Sequence, residues 1–229
     1  MQTGQDLERI VGMLRTRYGC HTVILYGSHA RGENTVVSDY DLAGFRKGGR
    51  ELRVARLWQG VYLDVFIYPE SRLREDDSSL LRMRNGRVLC QKRQLGSRFL
   101  AHLQKLFHKG RKKLRPDEIR ALKVWARKMI DRARAGDVEG DYRRTWLLTS
   151  LLEDYFLIRS RWYLGPKESL AWLRTNAAET YDGFRRALRP GASLRDIEEL
   201  AERVVGGRRL DGRKTRKKAA TSLKRCGRR

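Results

Sequence analysis

Strand-like runs occur in the first 95 residues of this chain and nowhere after them. That asymmetry points to a mixed unit followed by a helical one. In the first part, Leu7, Ile10, Val11 and Leu14 recur at helical spacing within 5–17, and Gly19 supplies a stop. Residues 21–26 are apolar and β-rich. Gly27-Ser28 breaks that strand, and a short helix is expected from Ala30. Asp39 to Phe45 reads as a second strand, ELRVARLWQ (51–59) as a short helix, and GVYLDVFIYP (60–69) as a third strand closed by Pro69. Val88-Leu89-Cys90 suits an edge strand.

Beyond that point, helical patterns cover 97–108, 116–135, 142–163, 166–189 and 193–205. Pro116 followed by Asp117 and Glu118 is a good helix opening, and Ser193 an N-cap. The expected fold class is α+β: a small mixed-sheet unit over 1–95, then an all-helical bundle over 96–206. The change of character centres on the basic stretch HKGRKKLRP, 108–116.

Net charge is +24, with a pI near 10.7. An excess this one-sided favours a polyanionic partner over surface ion pairing alone. The expected partners are a nucleoside triphosphate and RNA or another polyanion. Residues 207–229 carry eleven Lys and Arg against one Asp, with few large apolar residues, and are expected to be disordered when free. Cys20, Cys90 and Cys226 form no CxxC pair, which disfavours a disulfide framework or a zinc site. The polar amino terminus does not resemble a signal peptide, and no apolar run is long enough to span a bilayer. A cytoplasmic protein with no membrane partner is expected.

The chemistry concentrates in GSHARGENTVVSDYD, 27–41. On a strand, Asp39 and Asp41 point to one face. Two like charges so close repel, and burial makes that worse. A divalent cation between them resolves the conflict, and oxygen ligands suit Mg²⁺ or Mn²⁺. A strand end dipping into water would also account for the pair. Asp64 sits in the apolar run VYLDVFI, where an unpaired ionised carboxylate would cost several kcal/mol. It needs a cation, an arginine or hydrogen bonds. If the third strand lies beside the second, Asp64 could complete a three-carboxylate site. A turn at Gly27-Ser28 could present backbone N–H groups to phosphate, with the Ser28 hydroxyl and Arg31 assisting.

The ordered set is a strand, Gly-Ser, ten residues, Asp-x-Asp, then one Asp on another strand. It resembles the signature of the polymerase-beta-type nucleotidyltransferase superfamily, nearest to the minimal nucleotidyltransferases. Their motif usually reads Gly-Ser-Arg-Ala-Arg-Gly; here His29 replaces the first arginine, while Ala30, Arg31 and Gly32 match. The resemblance covers roughly 20–70 and extends more weakly to about 92. It implies that Asp39 and Asp41 hold two Mg²⁺ ions, with Asp64 as third ligand. It also implies that Gly27 and Ser28 hold the triphosphate of an NTP, ATP being the expected one. FLIRSRWYLGPKESLAWL, 156–173, is more loosely similar to the carboxy-terminal domains of kanamycin nucleotidyltransferase and its relatives.

The implied reaction moves a nucleoside monophosphate from an NTP to an acceptor hydroxyl and releases pyrophosphate. A small hydroxylated molecule, a protein hydroxyl and an RNA 3′ end all compete as acceptor. The basic cluster at 82–115, with Phe107 among it, suits RNA. A non-catalytic nucleic-acid- or toxin-binding module on the same scaffold, antitoxin-like, is the other reading. Asp154 falls on the apolar stripe of 142–163 and is either a core carboxylate paired with an arginine or an acceptor-facing group. Glu118 and Glu153 are weaker acceptor-side candidates. The four histidines show no metal-ligand spacing.

Overall fold

The computed structural model describes residues 2–35 and 37–206, with side chains from Gly4 onward. The expectation made for the tail at 207–229 lies outside the described residues. Elements run α1 (Gln2–Tyr18), β1 (Thr22–Tyr26), α2 (Gly27–Arg31), β2 (Tyr40–Arg46), β3 (Leu52–Trp58), β4 (Val61–Pro69) and β5 (Arg87–Cys90). Two short 3₁₀ turns, Glu70–Arg74 and Ser78–Met83, lie between β4 and β5. Then follow α3 (Leu95–Lys109), α4 (Pro116–Ala133), α5 (Val138–Ile158), α6 (Pro166–Asn176), α7 (Ala178–Ala187) and α8 (Leu194–Val205). The fold is α+β, as the distribution of strand signals requires.

The sheet has five strands in the order β3-β4-β2-β1-β5. β2 and β4 are parallel, while β1 pairs antiparallel with β2 and β5, and β3 antiparallel with β4. Alternation along each strand divides the core between two faces. Val23, Leu25, Leu42, Leu63, Val65 and Ile67 face α1, which contributes Leu7, Ile10 and Leu14. Ile10 and Leu14 are fully buried, which stabilises by roughly 1.5–3 kcal/mol per side chain. Ile24, Ala43, Phe45 and Tyr68 face the 3₁₀ turns and α3.

One element differs in kind from the sequence expectation: 51–59 is not a helix. Residues 52–58 form β3, a strand at the sheet edge. Leu52, Val54 and Trp58 pack against the α1-side core, while Arg53, Ala55 and Leu57 face the other way. A two-residue turn closes the hairpin to β4, with Gln59 at φ 50° and Gly60 at φ 83°. Positive φ at both central residues matches the right-handed twist of paired strands.

The chain divides into two compact units. The first runs through Lys113 and takes in 160–165; the second comprises 114–159 and residues from Pro166 onward. Helix α3, which the sequence reading placed with the helical half, belongs to the first unit. Phe99 and Leu103 are buried against Phe45 and Ile24, and that apolar face fixes the helix to the sheet. Residues 142–163 do not form one continuous helix: α5 ends at Ile158, and Ser160 takes φ 56°. Trp162 then packs on the first core and donates from Nε1 to the Phe107 carbonyl at 3.1 Å. Likewise 166–189 is two helices, parted at Ala177 (φ −151°, ψ 58°). In the second unit α4, α5 and α8 bury Met129, Leu147, Leu151, Ile197, Leu200 and Val204. Ser193 caps α8 by accepting from the Asp196 amide. No helix among the described residues is long and apolar enough to cross a membrane.

Candidate active site

Strand register builds the site. Asp41 pairs with Tyr26 of β1 on one side and with Asp64 of β4 on the other, and Asp64 pairs with Ala55 of β3. Tyr26, Asp41, Asp64 and Ala55 therefore form one row across four strands. Neighbouring strands lie about 4.8 Å apart, which puts the two carboxylates side by side. Asp39 precedes β2 rather than lying in it and is exposed. It lines a cleft of about 320 Å³ together with Asp64.

The three carboxylates share a field. Burial pushes Asp41 up to about 6, and the charges of Asp39 and Asp64 add to the rise; Arg82 and Arg31 oppose it. Gly27 is what lets Asp41 sit here. A Cβ on Gly27 would lie 2.1 Å from Asp41 Oδ2, and Gly27 itself takes φ 71°, where only glycine is unstrained. Helix α2 begins at Gly27 itself, three residues earlier than expected from Ala30. Ser28 is buried, and its carbonyl accepts from the amides of Gly32 and Glu33. Arg31 pairs through Nε with Glu33 at 2.8 Å.

Several contributors were missed from sequence. Arg53 grips Asp64 with two hydrogen bonds, Nε to Oδ1 at 2.8 Å and Nη2 to Oδ2 at 2.9 Å. It was hidden by the helical reading of 51–59; the Gln59-Gly60 turn was the signal that places Arg53 on the face of Asp64. Arg82 lies over the rings of Phe66 (4.4 Å) and Tyr26 (5.6 Å) and donates to the Tyr68 hydroxyl at 3.1 Å. His29 stacks on Tyr40 at 4.3 Å, and its Nε2 lies 3.3 Å from the Ser38 carbonyl. It thus ties α2 to the residues leading into β2.

The donor set is all carboxylate oxygen, which suits a hard divalent cation. The rise at Asp41 is an imbalance that such a cation would offset. Among the described residues, no three His, Cys, Asp or Glu side chains close on one point in metal-binding geometry, and Asp64 has both oxygens engaged by Arg53.

In the second unit, Asp154 is 6% exposed and its Oδ2 has no hydrogen-bond partner, so the expected arginine pairing is absent among the described residues. Burial, then the charge of Glu153, raises it to about 6. Glu118 instead completes a capping box at the start of α4, its carboxylate accepting from the Arg115 amide at 2.7 Å.

No family model matches the chain, and no curated protein is similar to it. Among solved structures, it is similar to the crystal structure of a nucleotidyltransferase-like protein from Exiguobacterium sibiricum 255-15. Identity is 10%, the match covers 87% of this chain and 73% of that one, and the TM-score is 0.40.

Proposed function

We propose that the chain is a nucleotidyltransferase that moves a nucleoside monophosphate from an NTP, ATP by expectation, to an acceptor hydroxyl. The observation that carries this reading is the side-by-side pairing of Asp41 and Asp64 on parallel strands, with Gly27 closed against Asp41. A strand pair that brings two carboxylates together in a part-buried site loses stability, and cation-dependent chemistry is a reason to keep it.

In this reading Asp39, Asp41 and Asp64 would hold Mg²⁺ or Mn²⁺, and the chemistry such a cation would supply is activation of the acceptor hydroxyl and charge neutralisation for the departing pyrophosphate. The acceptor oxygen forms a bond to the α-phosphorus, the bond from that phosphorus to the bridging oxygen breaks, and the hydroxyl proton passes to water. Gly27 and Ser28 supply close backbone approach for the triphosphate, and Arg31 a guanidinium beside it. Arg82, fixed by Tyr68 and stacked on Phe66, adds a held positive charge near Asp41. For Asp64 to serve a cation, Arg53 would have to give up its two hydrogen bonds to that carboxylate.

Arg53 also favours a second reading. A carboxylate already neutralised by a bidentate arginine suits a non-catalytic binding module on this scaffold. Calorimetry with ATP and Mg²⁺ separates the two. Wild type should bind only with the cation present, and Asp41→Asn should lose binding while keeping its fold. Incubation with α-labelled NTPs should then label one acceptor class among RNA, protein and small hydroxylated molecules. Cation-independent binding that survives Asp41→Asn would leave only the non-catalytic reading.

A further inference from the structure

The cleft beside the carboxylates has an exposed floor that the proposed chemistry does not use. Tyr62 is 66% exposed and Leu57 61% exposed, although both are large and apolar. They are register partners across the β3–β4 hairpin, and both line the cleft that holds Asp39 and Asp64. Tyr62 lies two residues before Asp64, on the same face of β4. Their cross-strand pairing supports the hairpin but leaves one face of the aromatic ring open beside the charged groups of the cleft.

Sheet order says which side of the reaction this floor serves. Gly27 and Ser28 follow β1, and the order β3-β4-β2-β1-β5 puts β1 on one flank of the two carboxylate strands and β3 on the other. In phosphoryl transfer the attacking and leaving oxygens lie roughly in line on opposite sides of phosphorus. With the triphosphate on the β1 flank, the acceptor enters over β4 and β3. The hairpin segment is basic: residues 46–60 carry Arg46, Lys47, Arg50, Arg53 and Arg56 against Glu51 alone. Arg53 and Arg56 themselves line the cleft. Asp39 and Asp64 balance them in the cleft. Once a cation occupies those carboxylates, the exposed ring and the hairpin guanidinium groups match the stacking faces and phosphates of a single-stranded nucleic acid.

We propose that the β3–β4 hairpin is the acceptor platform, and that its occupant is the 3′-terminal nucleotide of a single-stranded RNA, its base stacked on Tyr62 and flanked by Leu57. This rests on the nucleotidyltransferase reading for its direction of entry. The ring face orders the terminal nucleotide, and the guanidinium groups meet its phosphates.

The test is fluorescence anisotropy with a short oligoadenylate that carries fluorescein at an internal position. It is run on wild type, Tyr62→Ala and Tyr62→Phe, with melting temperatures recorded alongside. Removing the ring should weaken binding by roughly 5- to 100-fold, while Tyr62→Phe, which keeps the π face, should stay within about 2-fold of wild type. The same oligonucleotide circularised, which offers no 3′ end, should bind wild type more weakly than the linear form. Equal affinity for Tyr62→Ala and wild type, or for circular and linear oligonucleotide, overturns the platform. So does a labelled protein in place of labelled RNA in the transfer assay. Failure of the underlying reading is seen separately, as absence of cation-dependent ATP binding by wild type.

Discussion

Asp154 and Asp41 are both carboxyls raised to about 6 from an ordinary 3.8, each chiefly by burial. A carboxyl whose pKa is higher in the fold binds its proton more tightly there. Its stabilising contribution is present at low pH and is lost as pH rises from about 4 to about 6. Asp154→Asn should therefore flatten the dependence of stability on pH over that window. Near pH 7.5 it should be more stable than wild type by on the order of 2 kcal/mol, less whatever the buried amide leaves unsatisfied. Urea midpoints across the window check this, and parallel curves for the two proteins would refute it. Gly27 gives a second residue-scale prediction. Gly27→Ala should lower stability by about 1–2 kcal/mol from the left-handed backbone alone, and further through the clash with Asp41. Adding Asp41→Ala should recover the clash component but not the backbone component, which a double-mutant cycle resolves. Arg53 is largely exposed but Asp64 is only 20% exposed, so Arg53→Ala, which leaves that carboxylate unpaired, should lower the melting temperature of the cation-free protein. On the proposed function it should free Asp64 and lower the Mg²⁺ concentration needed for half-maximal ATP binding. A higher requirement would instead mean that Arg53 holds phosphate.

The β3–β4 hairpin shows what could be read from sequence at the scale of an element. Asp64 was legible as an anomaly because a carboxylate in VYLDVFI has no ordinary reason to be there, and the need for a partner followed. That the partner is Arg53 was not legible. Leu52, Val54 and Trp58 alternate with Arg53, Ala55 and Leu57, but an edge strand buries only one side, and short arginine-rich runs fit a helix as easily. The two-residue turn at Gln59-Gly60 was the discriminating signal. Gln at a positive-φ position is a poor choice, which makes the turn improvable. Gln59→Asn should raise the denaturant midpoint, by up to about 1 kcal/mol of stability, because asparagine tolerates the left-handed region better. Unchanged stability would mean that the rest of the hairpin, and not the turn, sets its register. The placement of α3 failed for a related reason. Its helical period was clear, but nothing in a period says which core Phe99 and Leu103 enter. The break at Ala177 was missed because 166–189 holds neither proline nor glycine at that point, and Asn176, which ends α6 and donates to the Trp172 carbonyl, is a weaker stop signal.

At the scale of the whole molecule, charge is the dominant fact. Residues 207–229 supply +10 of the +24, from eleven bases and one acid, and the remaining +14 is carried by residues 1–206. If polyanion binding were only a matter of net charge, the two parts should contribute in proportion. The acceptor platform implies otherwise. An oriented contact at the β3–β4 hairpin should survive deletion of 207–229, whereas the phosphate contacts that those residues themselves make should be lost. The prediction is that a chain ending at Gly206 keeps the melting temperature of the full-length protein and binds oligoadenylate more weakly. Its log–log salt slope should be shallower by roughly 0.7 for each phosphate contact removed from a single strand. The fold-loss caused by Tyr62→Ala should be the same in the truncated and full-length proteins, since a stacking contact does not depend on net charge. Salt titrations of the four proteins measure both quantities. An unchanged slope would mean that the terminal cluster touches no phosphate. A Tyr62 effect that vanishes on truncation would mean that the platform engages RNA only through the terminal cluster, and that it is not a site in its own right.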